Sequence, residues 1–407
     1  MPSTPEDVGL SAQQLRRIDE HLESRYLNAG KLAGCLTLVA RRGEVVHLSP
    51  LGFRDLERQA AMREDSIFRF YSMTKPITSV ALMTFYEQGY FQLDDPVRKF
   101  IPEWADLRVY NSGNRPNFVT SSCDRPMTIR DLMTHMSGLT YGFTERTIVD
   151  AAYRDLLIGT LGQAKQGSLR DMIENLATLP LEFSPGSAWN YSVSTDVLGY
   201  LTEVFSGQTF DRVLQERVLE PLGMTDTGFS VPPESVDRFA ANYERAPDKT
   251  LRLLDDPEDS HYLQRPTLLS GGGGLVSTAS DYFRFCQMML NGGELDGARI
   301  LGRKTIELMT MNHLPDGQDL TDLSVGPFSE TTYEGNGFGL GFSITLDLTK
   351  TQGAGSPGDY GWGGAASTIF WIDPAEELIV IFLTQLMPSG TFNFRGQLKS
   401  IIYPALL

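Results

Sequence analysis

The spacing of apolar and polar positions divides the chain into three parts. Residues 12–28 carry Leu15, Ile18, Leu22 and Tyr26 at the spacing of one helical face, and Ser11 stands where a cap is wanted. The run Cys35-Leu-Thr-Leu-Val-Ala40, a turn at Arg42-Gly43 and Glu44-Val-Val-His47 predict two strands closed by a glycine turn. The C-terminal end mirrors this. Residues 338–348 and 367–372 predict strands, Asp373-Pro374 a turn, 378–385 another strand and 392–403 a closing helix.

Between the ends, from about 74 to 223, the pattern is mostly helical, with helices predicted at 74–88, 128–136, 168–179 and 195–205 and loops rich in Gly, Pro and Asn. Strands at both ends with helices between them imply an α+β architecture. One antiparallel sheet is built from both termini and flanked by helices, and a mostly helical lobe is inserted into it. The expected division is a discontinuous sheet domain over 1–90 and 265–407, with residues 91–264 as the inserted lobe. A cleft between two such lobes is where a small-molecule site is expected.

Composition narrows the function. The 407 residues are 41% apolar and 21% charged, which is enough to bury a large core and excludes a disordered or fibrous chain. Lys and Arg number 35 against 51 acidic residues, a net charge of −16, which argues against nucleic acid and anionic membranes as partners. The longest apolar stretch, 378–386, is far short of the roughly 20 residues a spanning helix needs. With neither a basic nor an apolar leader segment visible at the N-terminus, a cytoplasmic location is expected. Three cysteines, Cys35, Cys123 and Cys286, make no disulfide framework, and a reducing compartment is expected. The five histidines are scattered without metal-ligand spacing, so no metal is expected; His135 reads as a core histidine held by backbone. Gly271–Gly274 lacks the lysine of a phosphate loop, and Gly335-x-Gly337-x-Gly339 lacks the following helix and acidic residue of a dinucleotide site. No cofactor is expected, and the four glycines read as a close backbone passage.

One stretch carries chemistry. Ser72 and Lys75 stand three apart at the start of the apolar helix 74–88, so they share a face and the ammonium can reach the hydroxyl. A serine at a helix start also lies near the positive end of the dipole. Serine needs a base to become a nucleophile, and a lysine held between apolar walls can serve as one. The residues alone leave open the plainer alternative of a capping serine followed by a solvated lysine. No Gly-x-Ser-x-Gly elbow offers another nucleophile.

Further segments accompany Ser72-Met-Thr-Lys75 in order: Leu132-Met-Thr-His-Met-Ser-Gly138-Leu139, Phe183-Ser-Pro-Gly186, Trp189-Asn-Tyr191-Ser192-Val193, Asp196-Val-Leu-Gly-Tyr200, Pro221-Leu-Gly-Met-Thr-Asp-Thr-Gly228, Gly271-Gly-Gly-Gly-Leu-Val-Ser-Thr-Ala-Ser280 and Gly361-Trp362-Gly363-Gly364. In this order and spacing the chain resembles the serine β-lactamase and penicillin-binding-protein superfamily. It is most similar to the esterases with a class C β-lactamase fold, the family VIII carboxylesterases. The resemblance implies Ser72 as the acylated nucleophile, Lys75 as its partner base and Tyr191 as the third catalytic group. It also implies an oxyanion hole from the N–H groups of Ser72 and Ala365, with Tyr71, Val193, Trp362, Gly363 and Gly364 along the substrate. Two departures from the superfamily's pattern matter. Trp362 and Gly363 replace the Lys and Thr of its Lys-Thr-Gly motif, and Val193 replaces the Asn of its Tyr-x-Asn motif.

Both departures delete polar recognition and add apolar wall. The expected function is therefore a serine hydrolase for carboxylic esters of small to medium uncharged acyl groups, with a small-molecule ester as its partner. An acyltransferase using the same acyl-enzyme, a β-lactamase or D-amino-acid peptidase, and an inactive penicillin-binding-like scaffold are the alternatives. Acyl length is expected to depend on the loops 111–123, 141–167 and 316–335.

Overall fold

The two ends of the chain pair with each other. The structure is a computed structural model that describes residues 3–160, 167–326, 331–351 and 353–407. Its main sheet comprises β1 (Gly34–Arg41), β2 (Glu44–Asp55), β3 (Ala60–Ala61), β4 (Asn336–Phe338), β5 (Ser343–Thr345), β6 (Tyr360–Gly363), β7 (Ile369–Asp373) and β8 (Leu378–Thr384). The spatial order is β4-β5-β6-β7-β8-β1-β2-β3. β1 runs antiparallel to β8, from Cys35 opposite Thr384 to Arg41 opposite Leu378, and this single pairing joins the N-terminal and C-terminal hairpins.

Both faces of the sheet are covered, which is why β8 is one continuous apolar run and not an alternation. Side chains still alternate in direction. Phe370, Ile372, Ile379, Ile381 and Leu383 join the core around α2 (Thr74–Glu87). Ile369, Trp371, Leu378, Val380 and Phe382 pack with Leu15, Ile18 and Leu22 of α1 (Ala12–Leu22) and with Leu398 and Ile402 near the C-terminus. Ser11 caps α1 by accepting from the Gln14 N–H, and the expected helix over 12–28 is α1 continued by a π-helical turn, Glu23–Leu27.

The inserted segment carries α3 (Ile129–Met133), α4 (Ile148–Asp155), α5 (Leu169–Leu176) and α6 (Ser194–Ser206). Thr128, Thr147 and Ser168 start the first three through reciprocal capping boxes with Asp131, Asp150 and Asp171. Such caps contribute about 1 kcal/mol each. Further on, α7 (Ala279–Leu290) and α8 (Phe394–Ile402) complete the layers on the two sides of the sheet. Among the described residues no helix is long and apolar enough to cross a membrane.

Two expectations are corrected and a third is filled in. Residues 338–348 are not one strand: β4 turns back into β5 through Gly341, whose φ of +102° is open to glycine and strained for other residues. A Cβ there would lie 2.4 Å from Ser79 Oγ on α2. The loop expected at 111–123 is largely an antiparallel hairpin, Arg108–Asn114 with Asn117–Ser122. Its strands lie mostly in solvent, so no apolar alternation betrays them. Residues 91–264 also contain the strands Asn242–Arg245 and Leu251–Asp255, which pair with each other and, through the first, with Leu386–Met387. Parts of two loops expected to set acyl length, 161–166 and 327–330, lie outside the described residues.

Candidate active site

Ser72 sits in a 3-10 turn, Tyr71–Met73, that leads directly into α2. The residue before it, Tyr71, has a φ of +44°, a conformation that costs energy for any side chain other than glycine and that clusters at functional sites. The turn is held on both sides. Phe70 N–H donates to the Leu275 carbonyl at 3.0 Å, and Asn242 Nδ2 donates to the Tyr71 hydroxyl at 3.1 Å. Burial pushes the Tyr71 phenol up to about 12, so it stays neutral.

Every residue of α2 from Thr74 to Phe85 is buried, so Lys75 has no aqueous face and is itself 2% exposed. Its Nζ donates to Ser72 Oγ at 3.2 Å and to the Gly272 carbonyl at 2.7 Å. It also lies 4.4 Å from the centre of the Tyr191 ring and 5.3 Å from that of Tyr141. The solvated-lysine alternative is thereby removed.

Tyr191 stands three residues ahead of α6. Its hydroxyl donates to Ser72 Oγ at 2.6 Å. The segment carrying it is pinned by backbone contacts. Asn190 N–H donates to the His135 carbonyl at 2.9 Å, Asn190 Nδ2 to the Leu139 carbonyl at 2.9 Å, and Val193 N–H to the Thr140 carbonyl at 3.2 Å. His135 is buried as expected, but its Nδ1 meets Ser192 Oγ at 3.1 Å and not a backbone group. Its ring packs 5.0 Å from that of Tyr191. Burial, and then the charge of Lys75, hold the imidazole well below its usual range, so it is neutral.

Above Ser72 opens a cavity of about 320 Å³. Tyr71, Ser72, Val193 and Ala365 stand in its wall with Tyr141, Phe143, Leu156, Ile158, Met172 and Leu268, which give it an apolar body. Gly159 makes room there: at φ +59° it carries no Cβ, which would lie 2.9 Å from Val193 Cγ1 and 2.7 Å from Tyr141 Cδ1. Among the described residues neither the Ser72 nor the Ala365 N–H donates to another group of the chain. Two donors on the cavity wall suit a developing oxyanion.

Three of the expected substrate contacts are placed elsewhere. Trp362 is 1% exposed and is not in the cavity wall; its ring packs 5.6 Å from that of Tyr191 and 5.3 Å from that of Phe338. Gly363 and Gly364 line a different, smaller hollow. A Cβ on Gly364 would stand 2.4 Å from the Phe70 carbonyl oxygen, so the glycine's part is to let the end of β6 close on the turn that carries Ser72.

One group escaped the sequence, and the role of another did. The apolar wall at Tyr141, Phe143, Leu156, Ile158, Met172 and Leu268 carries no motif. The four glycines do carry a signal, and their carbonyl at Gly272 is the shortest contact of Lys75 Nζ among those described.

An α+β fold with a sheet closed by its own termini, and a Ser-x-x-Lys turn whose serine accepts from a tyrosine hydroxyl, define a serine acyl-transfer class of protein. Residues 18–399 match the Beta-lactamase family, and the chain belongs to that family. It is 36% identical over 365 residues to Protein Rv1367c of Mycobacterium tuberculosis, covering 89% of this chain and 88% of that one. It is 30% identical over 405 residues to Esterase EstB of Burkholderia gladioli, covering 95% and 94%. Among solved structures it is similar to EstCE1, a hydrolase with promiscuous acyltransferase activity, with TM-score 0.80, 27% identity and coverage of 96% and 99%.

Proposed function

We propose that the protein is a serine carboxylesterase that cleaves esters of small to medium uncharged acyl groups through an acyl-enzyme on Ser72. The observation that carries this is the double contact on Ser72 Oγ, from Tyr191 OH at 2.6 Å and Lys75 Nζ at 3.2 Å, at the foot of an apolar cavity. The likeness to EstB and EstCE1, an esterase and a hydrolase, supports the same reading. The proposed domains, 1–90 with 265–407 and 91–264, put Ser72 and Lys75 on one side of the cleft and Tyr191 on the other.

In this reading the Lys75–Tyr191 pair works one proton short of ammonium plus phenol, and it takes the Ser72 proton as Oγ attacks the ester carbonyl. The tetrahedral oxyanion is held by the Ser72 and Ala365 N–H groups. On collapse the C–O bond to the alcohol breaks, and the leaving alkoxide takes the proton from the pair. Water then enters, gives a proton to the pair and attacks the acyl-enzyme; collapse frees the carboxylic acid and Ser72 regains its proton. Lys75 Nζ and Tyr191 OH both reach Ser72 Oγ, so the proton is assigned to the pair and not to either residue.

The apolar wall, with Val193 where the superfamily's pattern has an amide, favours uncharged acyl groups over the anionic substrates of β-lactamases. Acyl transfer is the second reading, because an alcohol entering in place of water completes the same cycle; EstCE1 is a hydrolase with promiscuous acyltransferase activity. The test is a panel of p-nitrophenyl esters of increasing chain length run beside nitrocefin, on wild type and Ser72→Ala. The reading requires ester turnover that vanishes in Ser72→Ala and a fluorophosphonate adduct on Ser72 by mass spectrometry. Full turnover by Ser72→Ala refutes it.

A further inference from the structure

The four glycines at 271–274 have no part in the reaction above, and the buried carboxylate of Asp196 stands against them. A backbone carbonyl holds an ammonium in place only if its own peptide cannot turn. Gly272 is gripped on both sides: its C=O accepts from Lys75 Nζ at 2.7 Å, and its N–H donates to Asp196 Oδ1 at 3.1 Å. The same carboxylate oxygen accepts the Ser270 hydroxyl at 2.5 Å. One residue back, Thr78 Oγ1 on α2 donates to the Gly271 carbonyl at 2.9 Å.

The loop threads a gap with no space for side chains. A Cβ on Gly271 would lie 2.6 Å from the Thr195 carbonyl oxygen. One on Gly272 would lie 2.6 Å from Asp196 Oδ2 and 2.8 Å from the Tyr141 hydroxyl. Glycines that fit this gap are also free to rotate, so the passage needs an anchor. Asp196 supplies it from the first turn of α6, where the helix dipole favours a carboxylate, and it is 4% exposed.

We propose that Asp196 is a positioning residue for the reaction at Ser72: it clamps the Gly272 peptide, and so fixes the carbonyl that holds Lys75 Nζ within reach of Ser72 Oγ. Its negative charge, one peptide away from the ammonium, also favours the protonated form of the Lys75–Tyr191 pair. Without the clamp the Gly272 carbonyl turns away, and Lys75 loses the partner that aims it. The inference rests on the reading of Lys75 as half of the proton-carrying pair.

The experiment compares wild type, Asp196→Asn and Asp196→Ala by kcat and KM on a p-nitrophenyl ester across a pH series. The rate of Ser72 labelling by a fluorophosphonate is measured alongside, per active site, together with thermal melting. Asp196→Ala is expected to lower kcat about a hundredfold, the cost of a misplaced catalytic group, with KM changed less than about threefold and labelling slowed in parallel. Asp196→Asn keeps an acceptor oxygen for Gly272 N–H and Ser270, so it restores kcat to within about tenfold of wild type. It is also expected to move the acid limb of kcat/KM to lower pH, because removing an anion disfavours the protonated pair. A purely structural Asp196 lowers melting and the active fraction but leaves the limb and the labelling rate of folded protein unchanged, which overturns the proposal. Failure of wild type to label at Ser72 overturns the reading beneath it, whereas a labelled wild type with variants that label equally fast overturns the clamp alone.

Discussion

Lys75 Nζ lies closer to the Gly272 carbonyl, at 2.7 Å, than to Ser72 Oγ, at 3.2 Å. The tighter contact of Lys75 Nζ is therefore to a loop, and the looser one is to the serine whose proton the Lys75–Tyr191 pair takes up when it is one proton short. That order is useful for proton transfer. An ammonium bound chiefly to a fixed carbonyl stays aimed while its contact to serine shortens and lengthens through the cycle. Tyr191, whose ring stands under the same nitrogen at 4.4 Å and whose hydroxyl reaches Ser72 Oγ, gives the proton a second carrier.

Tyr191→Phe separates that carrier from its packing. The ring contacts with Trp362, Trp189 and His135 survive the substitution, and only the hydroxyl is lost. Stability is expected to change by about 1 kcal/mol, the typical net value of one hydrogen bond. kcat on a p-nitrophenyl ester is expected to fall about 10²- to 10⁴-fold, the range for losing a positioned proton carrier. Steady-state kinetics with a melting curve check both. An activity within threefold of wild type would remove Tyr191 from the mechanism.

Lys75→Met should divide activity from stability. The ammonium stands in a helix buried on every side, where desolvation of an ion costs several kcal/mol before its contacts repay it. Methionine fills similar volume without that cost, though it leaves the Gly272 carbonyl without this donor. Turnover is expected to drop by about 10³-fold while the melting temperature stays equal to wild type or rises. Parallel loss of both would mean the lysine is structural.

Much of this was legible in the chain because the core-forming elements are chemically one-sided. β8 and β1 are apolar runs, and their pairing could be foreseen from position alone. Ser72, Lys75 and Tyr191 were legible as a set only through the resemblance of their segments, taken in order, to the serine β-lactamase and penicillin-binding-protein superfamily; by itself Tyr191 has the look of a core aromatic. The hairpin at Arg108–Ser122 was not legible, since strands in solvent have no apolar side to show. The wall made by Tyr141, Phe143, Leu156 and Ile158 was hidden for the opposite reason. Apolar residues facing a cavity and apolar residues facing the core have the same spacing, and only the fold tells them apart. Trp362 reads as a substrate wall by its place in the motif, and in the fold its indole is buried against the rings of Tyr191 and Phe338.

Val193→Asn returns an amide to the cavity wall. The side chain is 1% exposed and stands where Gly159 leaves it room. An amide there has to be desolvated against an apolar acyl chain, and one mismatched contact of this kind is worth about 1–3 kcal/mol. kcat/KM for a hexanoate ester is expected to fall about tenfold or more, with a smaller loss for acetate, whose chain does not reach the wall. The chain-length panel reads this directly, and an equal loss on both esters would place Val193 outside the acyl path.

Glu182 gives the fold a pH dependence of its own. Burial raises its carboxyl from 4.5 to about 7, Thr147 opposes this by donating a hydrogen bond, and the neighbouring charge of Asp150 adds to the rise. Thr147 Oγ1 donates to Glu182 Oε1 at 2.5 Å. Asp150 in turn accepts from the Thr140 and Thr144 hydroxyls and from the Arg146 N–H, so the carboxyl pair ties down the segment that carries Tyr141 and Phe143. A carboxyl whose folded value is raised stabilises fully below its unfolded value and loses that contribution as pH rises through the folded one. The loss here falls between pH 4.5 and about 7. Wild type is thus expected to melt progressively lower as pH climbs through this window. Glu182→Gln, which cannot ionise, is expected to flatten that slope and to melt above wild type at pH values past the window. Melting curves of both proteins across the range decide it: parallel slopes would show that Glu182 is already ionised in the folded state and that the wall segment is held by Asp150 alone.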